Sequence, residues 1–564
     1  MSAIARHVFH YRSSIDGTEQ PYVVCAPEER SPEPLPVVFL LHDVLETPTP
    51  SEFTEHALRE ASIWLPDLEA GRCPIFVQPF GRGNGGWLGV GARDLFDVWN
   101  ELKTQFPCEE NAVSLLGVGA GATGALQLAS WYPDCFSAVA SIGAWTDDRQ
   151  DLPLGASGRD HWERGQRQAM NPIELVTNLQ GIALHLEHPW WFQGVGGTPS
   201  PAHLDALRKA LDKEKIAYRE GASAPSLGGT LDAPADRAGT LNWLTGHRRN
   251  EQPNAFSFST YTLRSSTCRG VRIGRLSRPG KLASVTGKLG RKKMRLTTDR
   301  VDALSVAFPI RGTEDSLTID KQTIPSPGKR HLKSGRVWVY LERLGRKWEV
   351  VGNGEEPDPQ EEVGSQPIKS PTLPGPAMDL RWDRVLFVPG GLGDEVETRT
   401  LGLFAEELRD RWVSGEDSVA QHPGDRSVAI DYPIKSDAEV SDEDQASHHL
   451  VLLGTPKNHL LLARYRSALP CKWKNVEKAS DPALPLPFRL GNRSYDDPRD
   501  VVFFCCPNPG HPDRYLLIIS PTTLAGLAHA AKVQTAFLPD YLVQRGRRVL
   551  DWGYFGADWQ IPLV

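Results

Sequence analysis

Over the first 250 residues, short unbroken apolar runs alternate with stretches of helical periodicity. Residues 36–41, 73–78, 113–116, 138–142 and 182–186 are runs of strand length with no polar face. That pattern predicts parallel strands buried on both sides. Between them, residues 94–106 place Leu95, Val98, Trp99 and Leu102 on one helical face. Residues 123–132 read as a helix stopped by Pro133, and residues 203–213 as a later one. Strand–helix alternation of this kind predicts a doubly wound α/β sheet.

The pattern then changes. From about Ala255 to Val351 apolar positions recur every second residue, as in 256–262, 271–273 and 337–340, with turn signals such as Arg278-Pro279-Gly280 between them. This predicts a small β-sandwich-like domain over 251–351. Residues 352–376 are rich in Gly, Pro and Glu and read as a linker. Residues 377–564 return to alternation, with strands at 384–388, 449–453, 500–506 and 515–520 and helices at 397–412 and 522–532. A second α/β domain of Rossmann or flavodoxin type is expected there.

Composition narrows the function classes. The chain of 564 residues carries 63 Lys+Arg against 70 Asp+Glu, a formal net charge of −7. A general nucleic-acid binder would be basic, so no nucleic-acid partner is expected. The eight cysteines form no CxxC pair and no Cys/His cluster of zinc spacing, so no metal site is expected. Scattered thiols fit a reducing compartment. With no signal-like N-terminus and no apolar run of about 18 residues, a cytoplasmic location without membrane contact is the expectation.

The stretch from Phe80 to Ala144 carries the chemistry. The strand 113–116 runs into Gly117-Val118-Gly119-Ala120-Gly121-Ala122, then Gly124-Ala125-Leu126 and Tyr132-Pro133-Asp134-Cys135-Phe136-Ser137-Ala138-Val139-Ala140. A nucleophile elbow, G-x-S-x-G, is a sharp strand-to-helix turn that small neighbours allow strand and helix to make closely. Gly117 and Gly121 hold the flanking positions, and Gly119 stands at the nucleophile position. This segment resembles the α/β-hydrolase superfamily: the esterase D, feruloyl-esterase and prolyl-oligopeptidase-like hydrolases, including multidomain bacterial members. Residues 258–264 and 296–301 resemble the β-rich domain that follows the hydrolase domain in that group.

The resemblance implies a serine, an acid and a histidine. Glycine at 119 cannot form an acyl-enzyme. The acid region, His185-Leu186-Glu187-His188-Pro189-Trp190-Trp191-Phe192-Gln193-Gly194, holds no Asp, and Glu187 falls early. The histidine region, 219–228, holds no His. The oxyanion loop reads His42-Asp43-Val44-Leu45 in place of H-G-x-G, and a carboxylate beside a developing oxyanion opposes its stabilisation.

Three readings follow. The first is a catalytically degenerate hydrolase homologue with a binding or assembly role. Its candidate pocket comprises His42, Asp43, Asn84, Gly119, Ala120, Trp145 and Trp190, and its partner would be a small-molecule or carbohydrate-type ligand, with no cofactor. Trp145, Trp190 and Trp191 follow strand ends, where ligands bind in open sheets, and either stack on a ring or fill a degenerate site. The second is an active ester or peptide hydrolase built from other residues, among His42, Asp43, Asp147, His185, Glu187, His188 and His203. The third takes Gly119, Gly121 and Gly124 as a G-x-G-x-x-G phosphate loop, with Asp147 as the ribose acid. A weaker anion-loop candidate is Gly454-Thr455-Pro456-Lys457-Asn458. No pattern specifies an oligomeric state.

Overall fold

The computed structural model describes residues 4–28, 31, 33–65, 74–150, 161–188, 197, 199–221, 236–250, 253–290, 293–309, 316–324, 336–354, 367–422, 424–474, 476 and 485–562. Trp190, Trp191, the histidine region from 222 onward and the 355–366 part of the expected linker lie outside them.

The first domain is one eight-stranded sheet between two helical layers. Its elements are β1 (Ile4–Arg12), β2 (Glu19–Pro27), β3 (Leu35–Leu41), α1 (Pro50–Trp64), β4 (Ile75–Pro79), α2 (Val90–Gln105), β5 (Cys108–Val118), α3 (Ala120–Trp131), β6 (Ala138–Ile142), α4 (Arg164–Ala169), β7 (Ala183–Glu187), α5 (Pro201–Glu214), β8 (Arg219–Glu220) and α6 (Arg237–Thr245). The strand order is β1-β2-β4-β3-β5-β6-β7-β8. The first three strands pair antiparallel, and the pairs from β4–β3 through β7–β8 are parallel.

The unbroken apolar runs explain the layering. β3 sends Val37, Phe39 and Leu41 to one face and Val38 and Leu40 to the other. On the first face they meet α2, α3 and α5 through Leu95, Val98, Leu128 and Leu211. On the second they meet α1 and α6 through Phe53, Ala57, Leu241 and Leu244.

Two five-stranded sheets follow, one running from Thr267–Cys268 to Lys347–Gly354 and the other from Gln322–Ile324 to Ala255–Thr260. Both supply a shared core that includes Phe258, Ile273, Val285, Leu296, Val306 and Trp348, and so they form a sandwich.

The last domain is built on a six-stranded sheet. Val385–Pro389, His449–Leu453 and Tyr515–Pro521 run parallel. Asp500–Pro507, Tyr541–Arg545 and Arg548–Gly553 continue it antiparallel. This α/β sheet is therefore mixed: its parallel half has the alternation read from the sequence, and its other half is antiparallel. Asp500–Pro507 is buried along its whole length. A central antiparallel strand buried on both faces looks the same in sequence as a parallel one.

The domains pack on each other through polar contacts. Arg264, after the first sandwich strand, pairs with Asp379, which also accepts from the Tyr515 hydroxyl at 3.0 Å. Residues after 366 belong to the last domain: Lys369 pairs with the buried Asp540. Among the described residues, no helix is long and apolar enough to cross a membrane, and no group of three His, Cys, Asp or Glu could hold a metal ion.

Candidate functional site at the strand-to-helix turn

One residue joins β5 to α3. Gly119 sits at φ +55° and ψ −119°, outside the regions that side chains comfortably allow. Its N–H donates to the Ile142 carbonyl at 2.9 Å, and its carbonyl accepts from Ala122 at 3.0 Å. The neighbouring glycines serve close passage. A Cβ on Gly117 would overlap the Gly121 backbone, and a Cβ on Gly121 would overlap the Leu41 carbonyl. Strand and helix therefore cross with no room for side chains at either position.

Asp43 follows β3, which lies beside β5. Its Oδ1 accepts the Ala120 N–H at 2.8 Å. A Cβ built on Gly119 would overlap the same carboxylate. The space where a nucleophile would begin is thus occupied by an internal acid. Asp43 is 5% exposed, and its Oδ2 has no hydrogen-bond partner among the described residues. Burial pushes its carboxyl up to about 6, with the Ala120 and Val44 N–H groups opposing part of the rise.

His42 is buried one residue earlier. Its Nδ1 lies 2.5 Å from the Asp43 carbonyl and its Nε2 3.0 Å from the Phe80 carbonyl. Burial lowers its pKa, so the neutral ring donates through one nitrogen. Trp87 Nε1 donates to the His42 carbonyl at 3.1 Å, and the two rings are 5.0 Å apart. The Trp87 ring also lies where Cβ atoms on Gly81 and Gly124 would fall. Gly124 is therefore needed for packing against an indole.

The loop after β4 is tied to the last domain. Asn84 donates to the Leu45 carbonyl at 2.9 Å and to Asp425 at 3.1 Å, and accepts from the Leu45 N–H at 2.8 Å. Its backbone N–H donates to Ser427, and Ala429 donates to Arg82, both at 2.8 Å. Arg82 is wholly buried between Asp16 and Asp94. His422 Nε2 donates to the Asn84 carbonyl at 3.0 Å; burial holds its pKa at about 4, so it is neutral at pH 7. Trp145 is buried with its ring 6.3 Å from His422. His422, Asp425, Ser427 and Ala429 thus lie along the loop that flanks the turn.

The remaining candidates serve other contacts. Asp147 binds Arg149 at 2.6 Å and Gln150 at 2.9 Å. His203, on α5, accepts the N–H groups of Thr146 and Asp147. His185 and Glu187, both on β7, meet at 2.5 Å, and Arg219 donates to His185 Nδ1 at 2.7 Å. That bond fixes His185 as the Nε2–H tautomer donating to Glu187. His188 Nε2 lies 3.0 Å from the Pro199 carbonyl. In the loop at 454–458, the Thr455 N–H and hydroxyl both donate to Asn458 Oδ1.

A positive-φ turn after the fifth strand of this eight-stranded order decides the architecture. The first domain is an α/β-hydrolase fold. No protein-family model matches the chain, and no curated protein matches it. Among solved structures, the hydrolase-fold chain is similar to a thermostable esterase (16% identity, 43% of this chain and 63% of that one, TM-score 0.33). It is also similar to an S-formylglutathione hydrolase from Agrobacterium tumefaciens (14%, 44% and 97%, TM-score 0.34). A third is an acylaminoacyl peptidase from Pyrococcus horikoshii (13%, 44% and 40%, TM-score 0.30). The strand order and the turn, not these remote scores, define the hydrolase fold here.

Sequence reasoning did not single out Trp87 or His422. His422 lies 338 residues from Asn84, and nothing local marks such a contact.

Proposed function

We propose that the chain is a non-catalytic hydrolase homologue with a binding or assembly role. One observation carries this reading: the Asp43 carboxylate fills the side-chain space at Gly119 and accepts the Ala120 N–H. In a working hydrolase, the N–H after the nucleophile is an oxyanion-hole donor. Here it already serves a carboxylate, whose charge would repel a developing oxyanion. Phosphate at the same helix N-terminus would meet the same charge, which disfavours a nucleotide role for Gly119, Gly121 and Gly124.

The test is fluorophosphonate labelling followed by intact mass, together with turnover of p-nitrophenyl acetate and butyrate. No adduct and no saturable turnover are expected. A stoichiometric adduct on any serine, or saturable turnover, would overturn the reading.

A further inference from the structure

Lys369 and Asp540 form an ion pair inside the last domain. Lys369 stands near the start of that domain, and its backbone N–H donates to the Ala557 carbonyl at 2.8 Å. Asp540 precedes the strand Tyr541–Arg545, and its carbonyl accepts the Cys505 N–H at 2.9 Å. The two side chains are 6% and 0% exposed. Trp559 covers the ammonium, with its ring centroid 4.9 Å from Nζ. Gly375 closes on the carboxyl: a Cβ there would overlap Asp540 Oδ1. Two charges so far from water lose hydration that their attraction only partly returns. Burial accordingly raises the Asp540 carboxyl above the ordinary range, with Lys369 opposing the rise.

Two further donors divide the carboxyl oxygens between them. The Phe555 N–H donates to Oδ2 at 2.8 Å. It is placed to hold the charge that grows on that oxygen when an amine attacks Cγ. Oδ1 faces the Cys505 thiol at 3.7 Å. The amine itself is already held against the carboxyl by Lys369's own contact. Reacting groups fixed side by side reach effective concentrations of about 10⁵–10⁸ M.

We propose that Lys369 and Asp540 join in an intramolecular isopeptide bond. Nζ passes one proton to Oδ1 and attacks Cγ. A second Nζ proton follows to Oδ1, the Cγ–Oδ1 bond breaks, and one water leaves. An ammonium and a carboxylate thereby become an amide and water, with no oxidant, reductant or cofactor. The amide carries no net charge, so the bond removes the cost of keeping two ions out of water. It closes a loop between positions 171 apart and ties the start of the last domain to the strand Tyr541–Arg545. The bond is independent of the Gly119 turn and stands whether or not that turn is catalytically dead.

Intact mass and tryptic mapping of the full chain test it. The denatured parent should weigh one water less than its sequence, N-terminal processing allowed for. Trypsin should leave Lys369 uncut and yield a branched peptide whose fragments join Lys369 to Asp540. Lys369→Arg keeps the positive charge and removes the nucleophilic amine; it should show its full sequence mass and melt at a lower temperature than the parent. The proposal is overturned if the parent, after prolonged incubation at neutral pH, keeps its full mass and gives linear peptides at both positions. It is also overturned if the missing water lies in an unbranched peptide, as a succinimide would place it, or if Lys369→Arg shows the same deficit. Should Lys369→Arg fail to fold, the parent's peptide map decides alone.

Discussion

Asp43 and Gly119 compete for one volume: the carboxylate of the first occupies the place where a side chain on the second would begin. The acid is held there by the Ala120 N–H at 2.8 Å. A glycine at the turn and an acid in the preceding loop are therefore one adaptation, in which each residue makes the other tolerable.

The pairing makes stability depend on pH in a defined direction. The Asp43 carboxyl keeps its proton to about pH 6 in the folded chain, against about 3.9 when unfolded. The unfolded state loses this proton first, so the group's contribution to stability falls as pH rises from about 4 to 6. It reaches a cost of about 3 kcal/mol above that window. Asp43→Asn removes the charge, keeps an acceptor for Ala120 and adds an amide that must find its own partner. The Tm difference between Asp43→Asn and the parent should rise by several degrees between pH 4 and pH 8. A constant difference across that range would contradict the assignment.

Restoring a serine should harm the fold without restoring chemistry. Gly119→Ser drives its Cβ into the Asp43 carboxylate, an overpacking cost of about 1–3 kcal/mol. Gly119→Ser combined with Asp43→Ala should recover the overlap part of that loss, because the two residues share the space, and keep the strain of a side chain at φ +55°. Urea unfolding midpoints of the two single variants and the double variant measure the coupling. Neither serine variant should turn over p-nitrophenyl acetate, since the adjacent His42 already spends both ring nitrogens on the Asp43 and Phe80 carbonyls.

Asn84 links the turn to Asp425 through its Nδ2, which also donates to the Leu45 carbonyl, while its Oδ1 accepts the Leu45 N–H. Asn84→Asp replaces the donor facing Asp425 and the Leu45 carbonyl with a carboxylate oxygen. It should destabilise by about 2–4 kcal/mol at neutral pH, more than Asn84→Ala. The excess should shrink as the pH approaches 4 and the new carboxyl takes a proton. Thermal melts of both variants at pH 4.5 and pH 7.5 check this.

The central strands were legible because they are unbroken. Residues 36–41 have no polar position, and β3 runs Leu35–Leu41. The outer hairpin was not read: β1 carries Arg6, His7 and His10 among its apolar residues and is half exposed, so it shows neither a buried run nor a clean alternation. At the turn, Asp43 was legible as the wrong residue for an oxyanion loop. Its bond to Ala120 was not, because that contact depends on β3 lying beside β5, and register between distant strands leaves no local trace.

The Ala120 amide reports the central claim directly. Its proton and nitrogen shifts, followed by TROSY on selectively labelled protein from pH 4.5 to 8, should titrate with a midpoint near 6, and the transition should vanish in Asp43→Asn. A flat profile in the parent chain, or an unchanged titration in Asp43→Asn, would show that the Asp43 carboxylate does not fill the turn.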